Sequence, residues 1–107
     1  ILATIEKDGT EFLVGMGQYI IDDAAHRAEV SFTVREDYHN NGIATILLEY
    51  LTILAKKHGL QGFTAEVLYE NRSMMRVIEK MGFDMQRNIE GGYYHLVLNF
   101  AEEITTT

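Results

Sequence analysis

Residues 38–45 read Tyr38-His39-Asn40-Asn41-Gly42-Ile43-Ala44-Thr45, and they join a predicted strand to a predicted helix. Before this stretch, residues 27–34 alternate between apolar and polar side chains, which is the period of a half-buried strand. After it, apolar residues over 42–58 recur at three- and four-residue spacings, which is the period of an amphipathic helix. The predicted apolar stripe of this helix consists of Ile43, Ile46, Leu47, Tyr50, Leu51 and Leu54.

The small residues of this junction suit it to bind an anion. Gly42 and Ala44 leave the backbone N–H groups accessible to a bulky ligand. The first N–H groups of a helix have no partner within the helix, and the aligned peptide dipoles place partial positive charge at the same end. The stretch contains no Lys or Arg, so this interpretation relies on backbone donors rather than basic side chains. A plain turn without a ligand is the alternative that these residues leave open.

The rest of the chain divides into strands and one further helix. The dipeptide Asp8-Gly9 predicts a tight hairpin, and Glu90-Gly91-Gly92 predicts a second one. The second helix is predicted from about Arg72 and is closed by Gly82. The other predicted strands cover residues 1–7, 11–21, 62–69, 83–89 and 93–100.

The resulting order, β-β-β-α-β-α-β-β, predicts an α+β fold with a mixed, mostly antiparallel sheet. Its central pair of strands is expected to be parallel, because a helix joins the strand at 27–34 to the strand at 62–69. A chain of 107 residues without linkers or repeats is expected to form a single domain over 1–107.

Composition limits the function classes. The net charge of −7 argues against nucleic acid as a partner; it either serves solubility or attracts a cationic amine. No run of about 18 apolar residues predicts a membrane-spanning helix. The chain lacks Cys and its four His residues show no paired-ligand spacing, so no metal site is expected. No secretory signal is visible in the sequence and Cys is absent, so a cytoplasmic location is expected.

Two stretches resemble motifs of the GNAT superfamily of N-acetyltransferases. Residues 38–45 resemble its acyl-CoA motif, Gln/Arg-x-x-Gly-x-Gly/Ala, in which backbone amides hold the pyrophosphate; Gly42 and Ala44 match, whereas His39 replaces the usual Gln or Arg. Residues 71–83 resemble the later motif, in which Asn opens a helix beside the pantetheine arm and Gly-Phe closes it. The two motifs stand at the family's separation, and together they are more specific than either alone. The resemblance implies the GNAT fold.

The resemblance also implies a cofactor site. It implies acetyl-CoA as co-substrate, without a metal. The resemblance runs from the family's second strand to its last strand, so the chain is expected to be a partial GNAT domain. Residues 28–32 and 65–71 and the Glu-Gly-Gly turn look most like bacterial protein lysine acetyltransferases, which are often fused to acyl-CoA-handling modules. The implied cofactor-binding residues are Thr33, Val34, His39, Asn40, Asn41, Gly42, Ile43, Ala44, Thr45, Asn71 and Ser73.

Transfer of an acetyl group to a lysine requires a general base, because an amine with a pKa of about 10.4 is protonated at neutral pH. Glu29 lies on the polar face of the strand that leads to the junction, and it matches the Glu that serves as base in protein-acetylating relatives. Glu66 on the neighbouring strand is the second candidate. The alternative for Glu29 is an exposed strand carboxylate or an ion pair with Arg27 or Arg72.

One departure from the family favours a different function. Many members place a Tyr in the later motif to protonate the departing thiolate, and the corresponding residue here is Ile78. Together with the absence of a basic residue in the junction, this departure favours the alternative of a non-catalytic acyl-CoA-binding domain, regulatory or interactive, within a larger fused enzyme.

Overall fold

The computed structural model describes residues 1–38 and 42–100. Within these residues the chain forms six strands and two α-helices in the predicted order, with a short 3-10 turn at Glu36–Tyr38. The elements are β1 (Leu2–Lys7), β2 (Thr10–Asp22), β3 (Arg27–Val34), α1 (Ile43–Lys57), β4 (Gly62–Leu68), α2 (Arg72–Lys80), β5 (Asp84–Glu90) and β6 (Tyr93–Asn99).

The strands form one sheet in the order β1-β2-β3-β4-β6-β5. β3 and β4 run parallel, as predicted from the helix between them, and the other neighbours are antiparallel. Both predicted hairpins are confirmed: Asp8 and Gly9 have φ values of 53° and 77°, and Gly91 and Gly92 have 61° and 80°. Positive φ at both central residues gives a turn whose twist matches that of the flanking strands.

The pairing between β3 and β4 is short. Arg27, Ala28 and Glu29 pair with Gly62, Phe63 and Thr64, and the ladder stops there. Residues 30–34 of β3 and 65–68 of β4 extend beyond the ladder and are not paired with each other. The centre of the sheet is therefore open at one end.

Both helices pack on one face of the sheet and share its core. α1 lies close to β2 because Gly15 and Gly17 present no side chains to it; a Cβ on Gly15 would come within 3.2 Å of Ile43 Cγ2. The buried core consists of Ala28, Val30, Leu48, Leu51, Ala55, Phe63, Ala65, Val67, Met75, Ile78, Leu96 and Leu98.

The predicted apolar stripe of α1 is partly wrong. Leu47 and Leu51 are buried, but Ile46 and Tyr50 are 62% and 55% exposed. Three other residues of α1, Leu48, Thr52 and Ala55, are buried instead. The helix is rotated by about one position relative to the prediction, because the small Ala55 permits close packing and the Thr52 hydroxyl can be buried by donating a 2.7 Å hydrogen bond to the Leu48 carbonyl.

The opposite face of the sheet is polar near its centre. Glu29 and Ser31 of β3 are exposed and alternate with residues that face the helices. Within residues 1–38 and 42–100, no helix packs on this side, which we call the open face.

Candidate functional site

A cavity of about 700 Å³ lies on the helix side of the sheet, between the end of β3, the beginning of α1 and the exposed face of α2. His39, Asn40 and Asn41, which were predicted to bind the cofactor, lie outside the described residues. The other residues of the predicted set all line this cavity: Thr33, Val34, Gly42, Ile43, Ala44, Thr45, Asn71 and Ser73. The fold thus brings together two motifs that are distant in sequence.

The N-terminus of α1 forms one wall of this helix-side cavity. Gly42 is its N-cap and has φ 78° and ψ 2°, in the left-handed region that favours glycine. Gly42 has no side chain to cap the first N–H groups, and the first turn contains no acidic residue. The wall therefore offers backbone donors and the positive end of the helix dipole, which is the chemistry that attracts an anion.

The N-terminus of α2 forms the opposite wall. The Asn71 side chain caps this helix: its Oδ1 accepts hydrogen bonds from the Met74 N–H at 3.2 Å and from the Ser73 hydroxyl at 3.3 Å. Asn is one of the preferred N-cap residues, so Asn71 has a structural role whether or not a ligand is bound.

We expect Asn71→Ala to lower the free energy of unfolding by about 1 kcal/mol, because the Met74 N–H loses its acceptor. Asn71→Asp keeps an acceptor at this position, and its free energy of unfolding is expected to be close to that of the original protein. Urea denaturation of both variants measures the difference, and equal loss in both would show that the cap contributes nothing.

Two basic residues of the helix-side cavity were not predicted from the sequence. Arg76 and Lys80 of α2 line it, together with Phe32, Tyr38, Met74 and Val77. The junction has no Lys or Arg, as the sequence shows, but α2 brings two basic side chains to the same cavity. The signal was present in the four-residue spacing of Arg72, Arg76 and Lys80, which places basic side chains along one side of a helix.

A second cavity, of about 520 Å³, lies on the open face. Glu29, Glu66 and His95 line it, and they come from the adjacent strands β3, β4 and β6. His95 is the cross-strand partner of Glu66, and its Nδ1 lies 3.2 Å from Glu66 Oε1. The open-face cavity thus contains two carboxylates, one of which is held by an imidazole.

Glu29 makes no ion pair within the described part of the chain. The proposed alternative of a pair with Arg27 is not found, because the Arg27 guanidinium donates to the Asn99 Oδ1 and to the Ala25 carbonyl. Glu29 is exposed, and it belongs to the last pair of the β3–β4 ladder. Its carboxylate therefore stands where the opening in the sheet begins, with the helix-side cavity beyond the opening.

Ile78 lies in the core at 2% exposure, so this position supplies no proton donor. Tyr69 and Tyr94 stack on each other with ring centroids 5.3 Å apart. Among the described residues, no group of three or more His, Cys, Asp or Glu side chains is arranged to hold a metal ion. In the same residues, neither helix has the length and apolar character needed to cross a membrane.

Comparison with known proteins gives a consistent result. The family model described as "Acetyltransferase (GNAT) family" matches residues 1–83. Acetyltransferase Pat of Mycolicibacterium smegmatis is 40% identical over 58 residues, which are 54% of this chain and 17% of Pat. The chain therefore spans about a sixth of the length of that curated relative.

Solved structures share the fold. The crystal structure of the GNAT domain of S. lividans PAT matches this chain with a TM-score of 0.71 and 28% sequence identity. The match covers 82% of this chain and 55% of the S. lividans chain. A second similar structure is that of yncA, a putative acetyltransferase from Salmonella typhimurium, solved with its cofactor acetyl-CoA. It matches with a TM-score of 0.68 and 18% sequence identity, over 87% of this chain and 61% of the yncA chain. The predicted α+β fold with a central parallel pair is confirmed by these similarities and by the sheet itself.

Proposed function

This chain belongs to the GNAT family of acetyltransferases, and from that premise we propose that it transfers the acetyl group of acetyl-CoA to a primary amine of a protein lysine, with Glu29 as the general base. The observation that carries the proposal is the arrangement of the two cavities. The described residues of the predicted cofactor set line one cavity on the helix side, and Glu29 lines the other at the point where the sheet opens between them.

In this proposal acetyl-CoA occupies the helix-side cavity. Its pyrophosphate lies at the N-terminus of α1 against the amides that follow Gly42, and its pantetheine arm passes Asn71 toward the opening between β3 and β4. The net charge of −7 does not oppose binding, because exposed charges are screened beyond about 8 Å whereas the amides act at contact distance. The acetyl-CoA in the yncA structure supports the same co-substrate for this chain.

The acceptor amine reaches the opening from the open face. A lysine side chain is long, narrow and cationic, and the open-face cavity presents the carboxylates of Glu29 and Glu66 to it. Among the described residues that line that cavity, Arg87 is the one Lys or Arg, and the His95 imidazole lies against Glu66. The charge distribution therefore favours a cationic acceptor on one side of the sheet and an anionic cofactor on the other.

The reaction then needs two proton transfers. Glu29 accepts a proton from the lysine ammonium through a water molecule, the neutral nitrogen attacks the thioester carbonyl carbon, and the C–S bond breaks as the amide forms. The nitrogen passes its second proton, directly or through water, to the departing thiolate, because Ile78 carries no hydroxyl that could donate one. The products are an acetylated lysine and CoA.

The test is an acetyl-transfer assay combined with calorimetry. We expect the protein to bind CoA and to transfer one acetyl group from acetyl-CoA to lysine-containing peptides, detected by mass spectrometry and by thiol release. Binding without transfer to any amine would favour the non-catalytic domain that the buried Ile78 suggests. Absence of CoA binding would contradict both functions.

Three further expectations stay predictions. They are the cytoplasmic location, the fusion to a larger acyl-CoA-handling protein, and the interpretation of residues 1–107 as part of a single GNAT domain.

A further inference from the structure

We propose, on the basis of the proposed function, that Arg76 and Lys80 of α2 form a subsite for the 3′-phosphate of CoA and make the protein selective for CoA over dephospho-CoA. The two side chains line the helix-side cavity, and neither has an acidic partner among the described residues.

The charge pattern of α2 is the first argument. Arg72, Arg76 and Lys80 follow one another at four-residue spacing, but only the last two line the helix-side cavity. Glu79, the acidic residue of this helix, lies 3.7 Å from Arg87 Nη1 and is not among the residues that line the cavity. The dipole of α2 explains a Lys in the last turn, but it does not explain Arg76 in the middle of the helix.

The contrast between the two cavities is the second argument. The chain has 16 acidic residues and 9 basic ones, yet no Asp or Glu lines the described part of the helix-side cavity. The open-face cavity, in contrast, contains Glu29 and Glu66. Acidic side chains are thus excluded from the wall that carries Arg76 and Lys80, which is the arrangement expected around a bound anion.

The position of Arg76 and Lys80 along α2 indicates which anionic group they bind. The backbone donors of Gly42–Thr45 serve the pyrophosphate in the proposed function, and they lie across the helix-side cavity from α2. With a rise of about 1.5 Å per residue, Arg76 and Lys80 lie about 5 and about 10 Å farther along α2 than Ser73. Cations at that distance from the first turn suit a second anionic group on the same ligand.

CoA carries one such group, the phosphomonoester on its ribose. This group has close to two negative charges at neutral pH and three acceptor oxygens. An Arg guanidinium binds phosphate oxygens in a bidentate manner, and a Lys ammonium adds a mobile point charge. Dephospho-CoA has the same pyrophosphate and pantetheine but lacks this group, so it isolates the contribution of the subsite.

Calorimetry with CoA and dephospho-CoA tests the proposal on three proteins. We expect the unmodified protein to bind CoA at least about tenfold more tightly than dephospho-CoA, since contacts between charged groups of this kind contribute about one order of magnitude or more in affinity. The double variant Arg76→Gln/Lys80→Gln should lose about tenfold in CoA affinity while its affinity for dephospho-CoA changes by less than about twofold. Arg72→Gln, one turn earlier on the same helix, is the matched control and should change neither affinity.

The outcomes that overturn the proposal differ from those that overturn the proposed function. Equal affinity of the unmodified protein for both carriers, with acetyl transfer intact, removes the subsite alone. An equal loss of both affinities in the double variant assigns the two cations to the pyrophosphate instead. If neither carrier binds to the unmodified protein, the proposed function fails and the subsite fails with it. Urea unfolding of each variant verifies that the fold is retained.

Discussion

Glu29→Gln is expected to lower kcat for acetyl transfer by about a hundredfold or more while the Kd for CoA stays unchanged. The amide keeps the size and polarity of the side chain but cannot accept the proton of the lysine ammonium. Glu29 is outside the helix-side cavity and makes no ion pair within residues 1–38 and 42–100, so its replacement should disturb neither cofactor binding nor stability. Steady-state kinetics on a lysine peptide and calorimetry with CoA measure the two quantities.

Two further variants serve as a control and as a test of the second candidate base. Glu49→Gln changes an exposed carboxylate of α1 that lines neither cavity, and it should leave kcat unchanged. Glu66→Gln removes the partner of His95 on the same open face, and a loss of activity confined to this variant would transfer the base role from Glu29 to Glu66. Full activity of Glu29→Gln would show that the assignment of the base is wrong.

Phe63→Ala is expected to lower the free energy of unfolding by about 3–5 kcal/mol. Phe63 is fully buried, and its ring meets three other rings, with centroids 5.0 Å from Phe100, 6.3 Å from Phe83 and 6.4 Å from Tyr19. Its neighbours come from different parts of the chain, so they cannot all move to fill the space that the ring leaves. Domains of this size are stable by only about 5–15 kcal/mol, and the variant should be close to unfolding at 37 °C.

Urea denaturation followed by circular dichroism measures this loss. Phe12→Ala is a matched control, because Phe12 is 41% exposed on β2 and outside the buried cluster. We expect it to cost about 1 kcal/mol or less. Similar losses in the two variants would show that the aromatic cluster around Phe63 does not dominate the stability of the sheet.

The features that sequence reasoning predicted are those set by local or periodic signals. The two hairpins follow from dipeptides that adopt positive φ, and the parallel pair follows from the helix that joins β3 to β4. The described members of the predicted cofactor set were found in one cavity, because the motif fixed their positions at the ends of β3 and the beginnings of both helices.

The features that could not be predicted from the sequence depend on tertiary packing. The close approach of α1 to β2 depends on Gly15 and Gly17, on a strand that precedes the helix by more than two dozen residues, and the periodicity of the helix contains no information about them. Likewise, the convergence of Arg76 with the junction near Gly42 depends on how α2 lies beside α1. The length of the β3–β4 ladder has no sequence signal, since both strands continue with β-forming residues beyond it.

The short ladder between β3 and β4 has a consequence for kinetics. Under the proposed function, the co-substrate enters and leaves on the helix side, and the acceptor does so on the open face. The two reactants therefore meet through the sheet rather than sharing one entrance, and neither obstructs the path of the other. Either product can dissociate first, and a bulky protein acceptor docked on the open face does not trap spent CoA behind it.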